Sequence, residues 1–143
     1  MPEREAHPSR APTPYDLIGG DEALRRVVER FYALMDEAPE FYGVRKLHPG
    51  DLSGSATKLH YFLSGWLGGP ALYAERIGPP MLRARHLPFS IGKAERDQWL
   101  ACMRQALEDC GVGPPEFREW LMQQLFGTAD WMRNRPGDMP GDG

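Results

Sequence analysis

The sequence has no long apolar run and few cysteines, and both absences exclude classes of protein. No stretch approaches the ~20 apolar residues that a membrane-spanning helix needs, and the mean hydropathy of the 143 residues is -0.52. The two cysteines, Cys102 and Cys110, are predicted to lie in one helix, with Cα atoms about 12 Å apart and so too distant for a disulfide. We expect free thiols packed as small apolar groups, in a cytoplasmic protein without a membrane partner.

Charge of one sign is not in excess, which argues against nucleic acid as a partner. The chain carries 17 basic and 20 acidic residues, interspersed, for a net charge of -3, whereas a phosphate-binding surface is strongly basic. Proline and glycine are plentiful but concentrate near the ends and between apolar segments. We therefore predict flexible tails at residues 1–14 and 136–143 and one folded domain at residues 15–135.

Strand-like alternation is absent, whereas apolar residues recur at helical spacing in long segments. This pattern predicts an all-α fold in which Asp21 caps the first long helix, and in which Trp120 and Gln124 face the core from the last one. The long helices are predicted at residues 21–36, about 51–66, 93–109 and 115–131, and short helices at residues 71–76 and 81–86.

The second long segment has one inward stripe by helical geometry. At ~100° per residue, Leu59, Phe62 and Trp66 lie within ~40° of Ser55 around the helix axis. A serine interrupts this otherwise apolar stripe, which is less expected of plain core. His60 lies ~140° from Ser55 and is predicted to face solvent.

His86 lies in a short segment of large apolar and basic side chains, residues 81–91. An imidazole on an apolar wall, with Arg83 and Arg85 beside it, suits a haem whose iron takes a ring nitrogen and whose propionate pairs with a guanidinium. A structural histidine that only makes hydrogen bonds explains the same residues. The residues alone leave both interpretations open.

Four motifs together resemble a known family. They are Arg30-Phe31-Tyr32, Trp66-Leu67-Gly68-Gly69-Pro70, Leu82-Arg83-Ala84-Arg85-His86-Leu87-Pro88-Phe89 and Glu95-Arg96-Asp97-Gln98-Trp99-Leu100-Ala101-Cys102-Met103. Their order, and the 13-residue spacing from His86 to Trp99, resemble the truncated haemoglobins of group II over about residues 15–131. The resemblance implies a two-over-two helical sandwich around a b-type haem. In that family, glycine pairs like Gly19-Gly20 and Gly68-Gly69 occupy turns that need a positive φ or a close backbone approach.

The resemblance also implies roles around the haem. His86 matches the proximal iron ligand, whose second ring nitrogen needs a partner that fixes its tautomer. Arg83 or Arg85, together with Lys58, are candidate partners of the propionates, and solvated surface charge explains each of them equally well. The apolar walls would come from Phe31, Phe62, Leu63, Leu82, Phe89, Ile91 and Met103.

On the distal side the match is to Tyr32, Ser55, Leu59 and Trp99. Bound O2 carries partial negative charge, and a phenol O–H and an indole N–H are both donors. The alternative is that each aromatic anchors the core and bonds to backbone. The loop at residues 47–51 is one residue shorter than the commoner family pattern, which has an aromatic beside the haem, and His48 is the nearest match. His48 either reaches the pocket or faces solvent.

These assignments predict a haem protein that binds or transports O2, and also takes NO or CO, as a monomer or homodimer. The first alternative is a redox enzyme on the same cofactor, acting on nitric oxide, peroxide or sulfide. It would need an acid–base group, which only His48 offers, and a reductase as partner, because the chain has no flavin or nicotinamide motif. The second alternative, a haem-free helical interaction module, explains the periodicity but not the surroundings of His86 and Trp99.

Overall fold

The computed structural model describes residues 11–79 and 92–131, and these ranges are helical with no strand. The all-α prediction is therefore confirmed. No helix in the described ranges is long and apolar enough to cross a membrane. The helices are α1 (Pro14–Ile18), α2 (Gly20–Glu37), α3 (Tyr42–Arg45), α4 (Ser53–Trp66), α5 (Leu72–Arg76), α6 (Lys93–Cys110) and α7 (Pro115–Trp131), with a 3₁₀ turn at Pro39–Phe41.

The four predicted long helices correspond to α2, α4, α6 and α7, whereas α1 was not predicted. A capping box starts α1: the Asp16 N–H donates to Thr13 Oγ1 at 3.2 Å, and the Thr13 N–H donates to Asp16 Oδ2 at 3.0 Å. Gly19, with φ 114°, ends α1 and is also the N-cap of α2. The prediction of Asp21 as the cap was wrong, because the glycine pair moves the helix start upstream and leaves Asp21 in the first turn.

The helix α1 packs against the end of α4. The Tyr15 N–H donates to the Leu67 carbonyl at 2.8 Å. A Cβ at Gly69 would lie 2.5 Å from the Tyr15 ring, and Gly68 has φ 95°. One glycine of this pair thus serves a left-handed turn and the other a close approach, as expected.

The core forms where α2 packs against both α4 and α6, and α6 packs against α7. Burial raises the pKa of Cys102 to about 12, and its Sγ lies 3.2 Å from the Phe31 carbonyl, to which the thiol donates. Both cysteines are free, as predicted. The largest fully buried side chains are Leu24, Val27, Phe31, Met35, Ser64, Cys102, Met103 and Leu107.

The predicted inward face of α7 was partly wrong. Trp120 is 43% exposed and Gln124 is also exposed, whereas Met122 is buried. The Trp120 ring stacks on Phe117 with centroids 6.1 Å apart, so it covers the edge of the core. The apolar stripe is therefore centred closer to Met122 than the spacing alone indicated.

His60 is buried rather than solvent-facing, which corrects its prediction. Only 6% of its surface is exposed, and its Nε2 lies 2.6 Å from Asp21 Oδ1. Asp21 also accepts from Arg25 Nε at 2.7 Å. The prediction failed because α4 has two covered sides: the side bearing His60 packs against α2, and Ser55 marks the other.

Candidate haem pocket

An aromatic cluster brings two predicted distal residues together from different helices. The Phe31 ring meets Tyr32 edge-on at a centroid distance of 4.9 Å and Trp99 at 5.1 Å. Tyr32 and Phe31 are buried on α2, and Trp99 is half-buried on α6. The packing of α2 against α6 therefore holds a phenol and an indole around one shared ring.

Tyr32 keeps its proton, so it can act only as a neutral hydroxyl. Burial is the main reason that its pKa is raised well above the ordinary 10.0. Its hydroxyl donates to the Ser55 carbonyl at 3.4 Å, which is long for an O–H···O bond. The contact places the Tyr32 hydroxyl beside α4 without a strong competing acceptor.

The Trp99 indole is a second donor near the same cluster. In the part of the chain that the structure describes, no hydrogen bond involves its N–H, and no fully buried side-chain nitrogen or oxygen lacks a partner. The indole nitrogen therefore lies where a further group can reach it.

His48 lies next to Tyr32. The two rings meet edge-on with centroids 5.7 Å apart, and His48 Nδ1 lies 2.9 Å from the Val44 carbonyl oxygen. A carbonyl only accepts, so Nδ1 carries the proton and Nε2 is the acceptor in the neutral ring. The imidazole ring beside Tyr32 thus carries an atom, Nε2, that accepts in the neutral ring and donates in the protonated ring.

One side of α4 carries half-buried apolar residues. Ser55, Leu59, Phe62 and Trp66 share this side, and the Phe62 and Trp66 rings stack at 6.3 Å. We call it the half-buried face of α4. Lys58 is exposed, ~60° around the helix from Ser55. The opposite side, with His60, Leu63, Ser64 and Leu67, is buried.

These residues fit a haem by the chemistry that they offer. A large apolar ring system needs an apolar face to cover it, which the half-buried face of α4 supplies, and a polar ligand needs donors, which Tyr32 and Trp99 supply. Phe31, Leu63 and Met103, predicted to line the haem, are covered by the protein itself. Other predicted haem residues lie outside the described ranges, namely Leu82, Arg83, Arg85, His86, Phe89 and Ile91.

Two residues that hold the loop beside the pocket were missed from the sequence. Arg45 contacts Asp36 and the carbonyls of Pro49 and Gly50, and Gln98 accepts from the Val44 N–H. A weak signal existed for Arg45: an arginine just before a turn rich in proline and glycine can satisfy the turn's carbonyls. For Gln98 the sequence contained no such signal.

An all-α fold that brings a phenol, an indole and an imidazole together around Phe31 and Tyr32, with a half-buried apolar face on α4, suits a globin-type haem protein. The family model of the bacterial-like globins matches residues 13–134. The group 2 truncated hemoglobin YjbI of Bacillus subtilis is 43% identical over 122 residues, which cover 85% of this chain and 89% of that protein.

Solved structures agree with this class. The group II 2-on-2 hemoglobin from Agrobacterium tumefaciens superposes with a TM-score of 0.83 at 44% identity, covering 88% of this chain and 97% of that one. A truncated oxygen-avid haemoglobin from Bacillus subtilis superposes with a TM-score of 0.77 at 42% identity, covering 86% of this chain and 100% of that one. The chain belongs to the bacterial-like globin family and is a group II truncated haemoglobin with the two-over-two fold. Membership implies a haem cofactor and small diatomic ligands.

Proposed function

We propose that this globin carries a b-type haem and binds O2 reversibly, with Tyr32 and Trp99 as the donors that hold the ligand. The carrying observation is that two donors from separate helices meet around Phe31. A second support is the name of a similar protein, the oxygen-avid haemoglobin of Bacillus subtilis.

The haem would bind the diatomic ligand, and the residues of the chain would hold the haem and surround the ligand. When bound, the ferrous haem supplies a coordination position for O2, NO or CO. His86 would ligate the iron, and Arg83 or Arg85, together with Lys58, would pair with the propionates. Phe62 and Leu59 contribute apolar wall and keep water from the ligand, because the half-buried face of α4 consists of these two side chains, the Trp66 ring and the single hydroxyl of Ser55.

The two donors would determine how long the ligand stays. A hydrogen bond to a partly charged acceptor stabilises by about 1.5–3 kcal/mol, which corresponds to a roughly ten- to hundredfold slower dissociation for each donor. Tyr32 stays protonated because burial raises its pKa, so its donation does not depend on pH in the neutral range. Trp99 donates at every pH.

Redox chemistry on nitric oxide, peroxide or sulfide is the second candidate. The observation that favours it is the contact of His48 with Tyr32, which puts an acid–base group among the donors. It ranks second because such catalysis needs an electron donor, and the chain contains no flavin or nicotinamide motif.

Oxygen binding is tested on the purified protein with one equivalent of hemin. We expect a Soret band, an O2 spectrum after reduction, and return of the ferrous spectrum when O2 is removed with argon. Absence of haem uptake would overturn the function proposed here. Rapid, irreversible oxidation under O2, together with fast multiple turnover of peroxide or nitric oxide in the presence of a reductant, would favour the redox candidate.

The proximal role of His86 has its own test. We expect His86→Ala to lose the iron–histidine stretching band in the ferrous Raman spectrum and to hold haem loosely, because apolar contacts alone remain. An unchanged band would show that another residue ligates the iron. Adding imidazole to His86→Ala should restore a nitrogen ligand, which separates loss of the ligand from loss of the fold.

A further inference from the structure

The Arg45 guanidinium joins two parts of the chain on either side of His48. Its Nε donates to Asp36 Oδ1 at 2.9 Å, and its two terminal nitrogens donate to the carbonyls of Pro49 and Gly50, each at 3.0 Å. All three nitrogens of the planar group are thereby in use, which a single-point cation cannot reproduce. Only 20% of the Arg45 side chain is exposed, so these contacts hold a defined geometry.

These contacts connect the loop to the helix that carries Tyr32. Asp36 lies one helical turn after Tyr32 on α2, and Pro49 follows His48 directly. The His48 N–H also donates to the Arg45 carbonyl at 3.0 Å. The distance between the Tyr32 and His48 rings is therefore set by α2 at one end and by Arg45 at the other.

A second contact connects α3, which leads into this loop, to the helix that carries Trp99. The Val44 N–H donates to Gln98 Oε1 at 2.9 Å, and Gln98 precedes Trp99 on α6. A Cβ at Gly43 would lie 2.7 Å from the Gln98 amide, so glycine permits this close approach. Val44 in turn holds His48 Nδ1 through its carbonyl.

We propose that Arg45 is a positioning residue that, together with Gln98, fixes the His48 imidazole relative to Tyr32 and Trp99, and so sets the polarity that the pocket presents to a diatomic ligand. This inference rests on the function proposed above. Arg45 acts through His48 and does not itself contact the ligand. Because its role is geometric, a lysine at the same position keeps the charge but not the function.

The test uses Arg45→Gln and Arg45→Lys in the haem-loaded, ferrous CO form, which is diamagnetic. The first readout is the His48 imidazole in nitrogen-15 NMR at pH 8. We expect the wild type to have a single tautomer protonated at Nδ1, and both variants to have a mixture of tautomers. Arg104→Gln is the matched control, because Arg104 pairs with Glu119 at 3.0 Å between α6 and α7, away from residues 42–50.

The second readout is O2 dissociation at pH 5.5 in single and double variants. We expect Arg45→Gln to accelerate dissociation by about two- to tenfold, the factor that corresponds to one ordinary hydrogen bond. In a His48→Phe background the same substitution should have no further effect, since the residue acts through His48. Asp36→Asn, which removes one contact, replaces Arg45→Gln if the latter does not fold.

The outcomes separate this inference from the proposed function. An Arg45→Gln protein with a wild-type His48 tautomer, or an equal acceleration in the His48→Phe background, would overturn the positioning role. If the wild type does not bind O2 reversibly, the proposed function fails. Where the protein takes up haem, the NMR comparison still decides the positioning role in that case, because it reports on the imidazole and not on O2. A protein that takes up no haem overturns both proposals.

Discussion

Tyr32 and His48 lie side by side, yet their protonation responds differently to pH. The raised pKa of Tyr32 keeps its hydroxyl neutral throughout the neutral range. An imidazole ordinarily gains a proton as pH falls from 8 to 5. Because His48 Nδ1 already donates to the Val44 carbonyl, the added proton goes to Nε2 and changes that atom from acceptor to donor.

We therefore predict that O2 dissociation from the wild type slows as pH falls through the imidazole range of about pH 8 to 5. His48→Phe should remove the pH dependence, and Tyr32→Phe should dissociate faster overall but keep it. Stopped-flow dissociation across this range measures both. Superimposable pH profiles of the wild type and His48→Phe would show that His48 does not act on the ligand.

Trp99 is the donor that can be deleted with least change of shape. Trp99→Phe keeps the edge contact with Phe31 and removes the indole N–H. We expect O2 dissociation to rise roughly 10- to 100-fold, since a charge-assisted bond of about 1.5–3 kcal/mol is lost. CO is less polarised and should be affected less. Equal acceleration of both ligands would point to shape or gating, and no change would identify Trp99 as core packing.

The helix α4 shows why its role was only half predictable. Periodicity identified the stripe through Ser55, Leu59, Phe62 and Trp66. The prediction that His60 faces solvent followed only if a helix has a single inward side. The neighbouring α2 covers a second side, where His60 pairs with Asp21. Helical spacing predicts which residues share a face, but which faces are covered depends on the partner elements.

The Asp21–His60 pair gives a prediction about the attachment of α4 to α2. Asp21→Ala leaves the buried His60 imidazole without its partner, which should lower the free energy of unfolding by about 1–3 kcal/mol. Glu22→Ala is the matched control, since Glu22 occupies the same helical turn and its pair with Arg26 is exposed. Urea unfolding at pH 7 measures both. Equal effects would mean that only the charge at the helix start matters.

The same pair has a defined dependence on pH. Arg25, and then His60, hold the pKa of Asp21 below its ordinary value of 3.8. The Asp21 carboxylate therefore contributes its full stabilisation at pH values above its ordinary pKa of 3.8. This stabilisation is lost as the pH falls through the lowered pKa of the folded protein. The difference in stability between the wild type and Asp21→Ala should accordingly shrink in strong acid.

Across the whole molecule, sequence reasoning succeeded where local signals decide. The long helices were predictable from the spacing of apolar residues. The glycine turns were predictable from the backbone conformations that glycine allows, and the free thiols from the distance between two cysteines on one helix. The pairing of His48 with Tyr32 remained open, because it depends on a loop held by Arg45 and Gln98 through contacts with distant backbone. Trp120 was misassigned because a stripe of mixed residues on α7 fits more than one rotation of the helix.

Removal of haem should affect the molecule unevenly. Haem binds the native state, so at a concentration a thousandfold above its Kd it would add about 4 kcal/mol of stability, which is lost on extraction. The side chains of α2 and α6 in the core are covered by the protein itself, whereas the half-buried face of α4 is not.

We expect hydrogen exchange after extraction to rise most in α4 and at residues 42–50, and least in the contact of α2 with α6. Exchange mass spectrometry of loaded, stripped and reloaded protein measures this. Uniform acceleration in all helices, or earliest opening between α2 and α6, would contradict the assignment of the half-buried face of α4 to the cofactor.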